Sequence, residues 1–578
     1  MDFGKAEAIS WSGFGDMGDY DQYRLHRRGP KLKEPTTALG KAAVASVSRE
    51  STALALDVLR GGGNAFDAAF LLGFALAVCH PQAGNIGGGG YMLVKAHDAP
   101  RPMVYGYRER APLQAKREDF LNRAGDADPD ITAFGPRSVC VPGMVKAFFK
   151  MHARYGRLGA SGLLHRVAEL AREGAVITDY QAQCLNRLAP KLALSGESSK
   201  VFVREGGFKK GDRLPNPRLA HTLEELALEG EAAFYRGGVA DRIVEGIRAQ
   251  GGYITMRDLE EYDIREVEPI GVELDGGTVW SVPPEGGGAI LLQILKILAR
   301  PEFTSISPWT PDYYHYLAQS FKMAFIDRMF FQGDIDLEGN TVYENLLSGE
   351  RASFLFGLIS RKDVSLEKYL ERMGYADQDL FPPVGGDETT HFSVIDEQGN
   401  CVSNSYTLNL RYGSKWSVPG TGFLLNGSMD GFAFNEGKPN YFGVIGNRPN
   451  LFEPGKRPAS NMAPLMVTSG KKVLMALGTP GGPTIPSALS TIILSIMYSG
   501  IKPEDAVSAG RIHHQAWPDV LYREGERNLR ERLKPLEKMG YTVKEKNEPI
   551  GDVHGIFRRE DGFLAVSDLR REGCAGAC

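Results

Sequence analysis

The chain has no apolar run approaching the roughly 20 residues needed to cross a bilayer, the longest candidate being residues 68–79. No membrane partner is expected. An excess of one charge is missing too: 67 Lys and Arg stand against 71 Asp and Glu, a formal net charge of -4, which gives no reason to expect a nucleic-acid partner. The one local basic cluster, residues 24–33, sits in a polar N-terminal extension and reads as a solvated arm. The first residues lack a basic start followed by an apolar stretch, so no secretory signal is expected and the expected location is cytoplasmic. Of the six cysteines, Cys79, Cys140, Cys184 and Cys401 lie in apolar or strand-like surroundings and are expected to be reduced core thiols. Cys574 and Cys578 are near enough in sequence to cross-link, but two ligands close no zinc site, so no metal is expected. There is no phosphate loop ending in glycine-lysine-serine or threonine and no dinucleotide fingerprint, which leaves no cofactor to expect. Internal repeats are absent as well.

What is present is a strand that starts at a threonine and folds back. From Thr389 to Asp396, bulky or β-branched residues alternate with polar ones, and Glu397, Gln398 and Gly399 form a three-residue turn in which glycine supplies the positive φ. Asp396 then faces Asn400, and counting outward brings Thr389 opposite Thr407. A threonine can serve as nucleophile when a base lies beside it, and the nearest base is its own α-amino group, freed by cutting the chain after Glu388. With a pKa of about 8, such an amine accepts a proton near neutrality. The hairpin alone favours a plain cross-strand threonine pair, since β-branched residues suit strands anyway.

A second segment narrows the choice. Gly478-Thr479-Pro480-Gly481-Gly482-Pro483 follows the apolar strand 473–477 and precedes a helix expected over 485–498. Adjacent glycines let backbone NH groups approach a reacting carbonyl, as stabilisation of an oxyanion requires; an ordinary strand-to-helix turn is the other interpretation. Elsewhere the pattern predicts a strand at 42–46 and a helix at 51–60. Asn64 is expected to cap a helix that runs to about residue 79. Strands at 91–96 and 103–107, a mainly helical middle from about 142 to 328, and hairpins pairing 465–468 with 473–477 and 556–559 with 563–567 follow. The outcome is a layered α/β body. His391 is expected to pack near Thr389 without acting as a base, since no acidic partner for a triad is evident. His513 and His514 are expected at a helix end in structural roles.

Nine runs, in order, carry a resemblance: LRGGGNAFDAA (59–69), HPQAGNIGGGGYM (80–92), YRERAP (107–112), TTHFSVID (389–396), SYTLN (405–409), GFLLN (422–426), KRPASNMAP (456–464), GTPGG (478–482) and RIHHQ (511–515). The chain resembles the γ-glutamyltranspeptidase family of the N-terminal-nucleophile hydrolase superfamily. That resemblance implies a four-layer αββα sandwich formed jointly by two self-cleaved subunits. The divisions it implies are an extension over 1–39, a large subunit over 40–388 and a small subunit over 389–578. It further implies Thr389 as nucleophile and, with Glu388, the self-cleavage point; Thr407 as the threonine hydrogen-bonded to the nucleophile; and Gly481 with Gly482 as the oxyanion pair. Arg108 matches the arginine that takes the substrate α-carboxylate, while Asn409 and Ser460 match positions that hold the amino-acid end of a γ-glutamyl group. The implied partners are a small-molecule amide and an amine or water acceptor.

The departures concern the substrate's amine. Where the family usually reads Met-Asp-Asp, this chain has Met429-Asp430-Gly431, so the carboxylate expected to meet the α-ammonium is missing. Ser428 replaces a longer amide or acid, Asn461 replaces the second serine beside Ser460, and Phe442 stands where some members have a lid tyrosine. Losing the partner of a desolvated ammonium costs several kcal/mol. Three readings stand: a γ-glutamyl amidohydrolase or transferase, with Asp430 reaching the ammonium; an acylase for an oxamate-like or glutaryl amide without the amino group; and an uncleaved, non-enzymatic relative.

Overall fold

Every residue of the strands Glu388–Ile395 and Cys401–Asn409 is buried, so both faces of this hairpin must be covered. The turn is the one expected: Gly399 has φ +92°, its NH donates to the Asp396 carbonyl (2.9 Å), and Asp396 NH donates to the Asn400 carbonyl (3.1 Å). The computed structural model describes residues 34–335, 341–375, 388–435 and 448–578. Phe442 and the basic cluster at 24–33 lie outside the described residues.

The hairpin is the centre of an antiparallel sheet of seven strands. Their order is Cys574–Ala577, Ala43–Ser46, Glu388–Ile395, Cys401–Asn409, Gly89–Lys95, Met103–Gly106 and Arg265–Val267. A second sheet of seven runs Thr36–Gly40, Gly562–Ser567, His554–Arg559, Lys472–Gly478, Leu465–Ser469, Gly277–Ser281 and Ile270–Leu274. Because side chains alternate along a strand, each sheet has two apolar faces to hide. Between the sheets, Ala43, Leu93, Ile395 and Cys401 of the first meet Met466, Ala476, Ile556 and Ala565 of the second. On the outer face of the first, Val94, Phe392, Val394 and Tyr406 pack against the helices Ala65–Cys79, Met144–Tyr155 and Ala160–Glu173. On the outer face of the second, Val279, Val467, Leu477 and Phe557 pack against Gly288–Leu298, Pro311–Phe331 and Thr484–Ser499. Helix, sheet, sheet, helix: the four-layer sandwich is present.

The helix Ala65–Cys79 begins as its sequence requires. Asn64 accepts from the Phe66 and Asp67 NH groups while Asp67 accepts from Asn64 NH, a reciprocal capping box. A further NH of its first turn, on Ala65, donates to Asp396 of the hairpin turn (3.0 Å), which ties the helix to the central strands.

Several elements differ from the sequence reading. Thr36–Gly40, all but its last residue placed in the extension, forms an edge strand paired with Gly562–Ser567. The middle is interrupted by the three strands over 265–281, whose alternation is short and partly exposed. His513 is in the short strand Ile512–His513 and not at a helix end, and both His513 and His514 are buried. The terminal cysteines do not cross-link: Cys574 opens the strand Cys574–Ala577 and Cys578 follows it, so at about 3.3 Å per extended residue their Cα atoms are beyond disulfide reach. Cys79, Cys140, Cys184 and Cys401 are buried free thiols, as expected. Among the described residues, no helix is long and apolar enough to cross a membrane.

One close contact tests the layer behind the hairpin. A Cβ on Gly73 would lie 2.1 Å from Phe148 Cε1, and Phe148 is itself wedged among Phe74, Tyr107, Phe392 and Tyr406. Gly73→Ala is expected to lose about 1–3 kcal/mol through overpacking. Calorimetric unfolding of Gly73→Ala, with parent and variant both in a Thr389→Ala background to keep the chain uncut, should show the lower midpoint.

Candidate active site

Thr389 stands where the hairpin's regular pairing fails. From Ile395↔Cys401 to Thr390↔Tyr406 the register is the one counted from the sequence, but the next pair is Glu388↔Asn409. Between these pairs the returning strand has two residues, Thr407 and Leu408, against the single Thr389, so the extra residue is in Cys401–Asn409. Such a bulge bends its strand and leaves Thr389 without a one-to-one partner. The Thr407 hydroxyl donates to the Glu388 carbonyl, the carbonyl of the peptide bond that precedes Thr389, and accepts from Asn409 NH at 2.8 Å. The sequence reading placed that hydroxyl on the Thr389 side chain; in the intact chain the preceding carbonyl holds it instead. Thr389 and Thr407 are only 5% and 4% exposed, so the uncut chain covers its own hydroxyl.

From Thr407 a chain of hydrogen bonds leads to Arg108. Asn409, at φ +74°, donates through Nδ2 to the Gly427 carbonyl (2.9 Å). The neighbouring Ser428 Oγ donates to Glu109 Oε1 (2.8 Å), and Arg108 Nη1 donates to Glu109 Oε2 (2.6 Å). Arg108 is 2% exposed and also donates through Nε to the Pro458 carbonyl, which rules out a solvated surface arginine. Glu109 was not singled out in the sequence, although it lies inside the YRERAP run; nothing in the pattern showed that it turns inward. Ser460 follows on the Pro458 loop, its NH donating to the Glu285 carbonyl (2.8 Å) and its Oγ accepting from Met462 NH (3.1 Å). Beside it, Asn461 Oδ1 is buried without a hydrogen-bond donor among the described residues. Asp430 faces away from this line, accepting from Thr132 Oγ1 at 3.1 Å. A Cβ on Gly431 would be 2.8 Å from Pro458 Cβ and 3.4 Å from Arg108 Nη2, so the missing side chain leaves no vacant space.

The second sheet supplies the glycine loop. Its strand Lys472–Gly478 packs across the sandwich from Glu388–Ile395, so close that a Cβ on Gly478 would lie 2.3 Å from His391 Nδ1. Gly481 and Gly482 follow at φ +132° and +56°, conformations that favour glycine. Their carbonyls are held by the start of the helix Thr484–Ser499, through Thr484 NH to Gly481 and Ile485 NH to Gly482. Among the described residues neither glycine NH is taken by a protein acceptor. His391 itself pairs with Ser405 Oγ (2.8 Å) and Ser393 Oγ (3.0 Å), and burial, with His554 nearby, pushes its pKa well below the usual histidine range. It is a neutral packing residue, as expected.

Sequence reasoning missed the cluster around Glu388. Its carboxylate is fully buried and receives Arg411 Nε, Tyr180 OH (2.5 Å) and Arg571 Nη1 (2.6 Å). Burial alone would raise the Glu388 pKa, but Arg571 and Arg411, with the Tyr180 hydroxyl, outweigh it and hold the carboxyl down to about 2. These contacts join residues far apart in the chain, which no local pattern reveals.

Comparison with known proteins identifies the family. The family model described as gamma-glutamyltranspeptidase matches residues 51–578. The glutathione hydrolase proenzyme of Pseudomonas aeruginosa is 34% identical over 540 residues, covering 93% of this chain and 94% of that protein. That of Escherichia coli K12 is 34% identical over 531 residues, covering 91% and 90%. Among solved structures, the cephalosporin acylase from Bacillus halodurans superposes with a TM-score of 0.80 at 25% identity, over 95% of this chain and 98% of that one. Helicobacter pylori gamma-glutamyltranspeptidase gives 0.52 at 31% identity, over 57% and 93%.

The lowered Glu388 pKa makes a signed prediction. A carboxyl depressed in the folded state contributes stability that is complete above its unfolded value of about 4.3 and is lost as pH falls toward the folded value of about 2. In a Thr389→Ala background, Glu388→Gln should flatten the acid limb of stability between those limits, read by urea unfolding at each pH. An unchanged slope would remove the carboxylate's electrostatic role.

Proposed function

This chain belongs to the gamma-glutamyltranspeptidase family and is an enzyme of that family; we propose that it cuts itself between Glu388 and Thr389 and then works as an amidohydrolase and acyltransferase through Thr389. In the first step Thr389 Oγ attacks the Glu388 carbonyl carbon, the peptide C–N bond breaks, and the hydroxyl proton ends on the departing nitrogen. Water then divides the resulting ester into a Glu388 carboxyl and a free Thr389 hydroxyl. The observation that carries this reading is the Thr407 hydroxyl on the Glu388 carbonyl, at the register shift that faces Thr389. A donor on that oxygen favours the charge that develops there during attack.

In the processed enzyme the Thr389 α-amine, with a pKa of about 8, takes the proton of its own hydroxyl and returns it to the leaving amine. Gly481 and Gly482 donate to the substrate oxyanion, and Arg108 takes a carboxylate of the acyl group with the planar fork suited to it. Asn409, Ser428, Ser460 and Asn461 line the same side, and the acyl-enzyme ends on water or on an amine. Large and small subunits would span 40–388 and 389–578.

Two acyl groups fit this site. γ-Glutamyl amides follow from the curated relatives. A glutaryl-type amide without the α-amino group is favoured by Gly431 packed against Pro458 and by Asp430 turned to Thr132, and agrees with the acylase neighbour. Truncating a buried charged partner typically costs about 2–5 kcal/mol, so an enzyme that still reads the ammonium should prefer γ-glutamyl amides by well over tenfold.

Three measurements check these proposals. N-terminal sequencing of purified protein should find a fragment starting at Thr389, absent in Thr389→Ala; a single unbroken chain in the parent would mark an uncleaved relative. Thr407→Val should slow appearance of that fragment by about 10–100-fold, the scale of losing one donor to a developing oxyanion. Comparison of γ-glutamyl- and glutaryl-p-nitroanilide should give kcat/KM values within tenfold of each other. A hundredfold advantage for the γ-glutamyl compound would defeat the second acyl group.

A further inference from the structure

We propose that Arg411, Arg571 and Tyr180 form a carboxylate pocket beside Thr389, filled by Glu388 in the uncut chain and, after cleavage, by a free carboxylate on the amine half of a small-molecule donor or acceptor. The inference rests on the self-cleavage proposed above.

The pocket is built before it is vacated. Arg411 and Arg571 have 11% and 6% of their side chains exposed, and each guanidinium lies over the Tyr180 ring, at 5.8 and 5.6 Å from its centroid. The phenol thus spaces the two cations, and its hydroxyl joins them at the same carboxylate. Arg411 Nη2 is additionally 3.3 Å from Glu548, and the Arg571 backbone NH donates to Asp552 Oδ1 at 3.0 Å. Glu548 thus meets the Arg411 guanidinium and Asp552 the Arg571 backbone, while Arg411 Nε and Arg571 Nη1 point to the Glu388 oxygens.

Glu388 must withdraw if a substrate is to react. Its carbonyl occupies the approach to Thr389, whose hydroxyl is covered in the uncut chain. When residue 388 moves, Arg411 Nε and Tyr180 OH lose the acceptor they share, and Arg571 Nη1 loses its contact with the same carboxylate. Buried donors without an acceptor are costly, and charged ones more so. A carboxylate restores all three contacts at once, whereas a neutral amide offers one oxygen and no charge. Arg108, on the other branch of the hydrogen-bond chain, reads the acyl half. The Glu388 pocket is left for the other half, such as the C-terminal carboxylate of a dipeptide.

The test is calorimetric titration of purified, processed protein with glycylglycine and glycylglycinamide. The parent should bind the free carboxylate at least tenfold more tightly. That preference should fall below threefold in Arg411→Gln and be partly lost in Tyr180→Phe, which keeps both guanidiniums and serves alone if Arg411→Gln stays uncut. Equal binding of the two compounds by the parent overturns the pocket, and so does a preference that survives both substitutions, because the carboxylate would then sit at Arg108. Terminal sequencing of the same sample separates the failures: Thr389 at a new terminus without carboxylate preference defeats the pocket alone, while an uncut chain defeats the self-cleavage and this inference with it.

Discussion

One irregularity in one hairpin organises the site. Had the pairing of Glu388–Ile395 with Cys401–Asn409 continued unbroken, residues 389 and 407 would be an ordinary cross-strand pair. Because the step from Thr390↔Tyr406 leads to Glu388↔Asn409, the returning strand sets two residues against Thr389 and the carbonyl before Thr389 meets the Thr407 hydroxyl. Everything else is support for that arrangement. Asn409 carries it toward Ser428, Glu109 and Arg108, and the ion cluster of Arg411, Arg571 and Tyr180 pins the side chain of residue 388.

The electrostatics divide the surroundings into two regions. Around Glu388, cations outweigh the burial penalty and the acid stays ionised. Around His391, burial meets no carboxylate and the imidazole stays neutral. The contrast bears on mechanism: the side chain nearest the expected position of a base lacks the acidic partner of a triad, while the α-amine of Thr389 exists only after the chain is opened. Under the proposed self-cleavage, the uncut chain would keep its catalytic base locked in a peptide bond.

Local patterns were legible in the sequence because the forces that set them are local. Gly399 announced the turn, counting from it placed Thr389 beside residue 407, and Asn64 with Asp67 announced the helix Ala65–Cys79. The runs that carried the family resemblance placed Arg108, the glycine loop and the 456–464 segment, and the structure brings Arg108 against Pro458. The bulge was not legible, since alternation continues through it. Nor was the Glu388 cluster, whose partners Tyr180 and Arg571 come from 208 and 183 residues away. Gly431 was visible as a substitution, but only its contact with Pro458 shows that the proline ring fills the place a side chain would need. The edge strand Thr36–Gly40 and the strand Ile512–His513 are too short to stand out from their surroundings and are defined by their partners.

The strand order has a consequence for a chain opened between residues 388 and 389. Cys574–Ala577 lies outside Ala43–Ser46, which lies against Glu388–Ile395, while Thr36–Gly40 and Gly277–Ser281 flank the four strands from residues 465–567 in the other sheet. The fragments would be threaded through one another, each supplying neighbours that the other needs to satisfy its backbone. Severing one bond would therefore free a terminus without freeing a subunit. Neither half has a complete sheet to fold around by itself, so a heterodimer made by that cut would be a product of the uncut chain's folding and not of an encounter between separate chains.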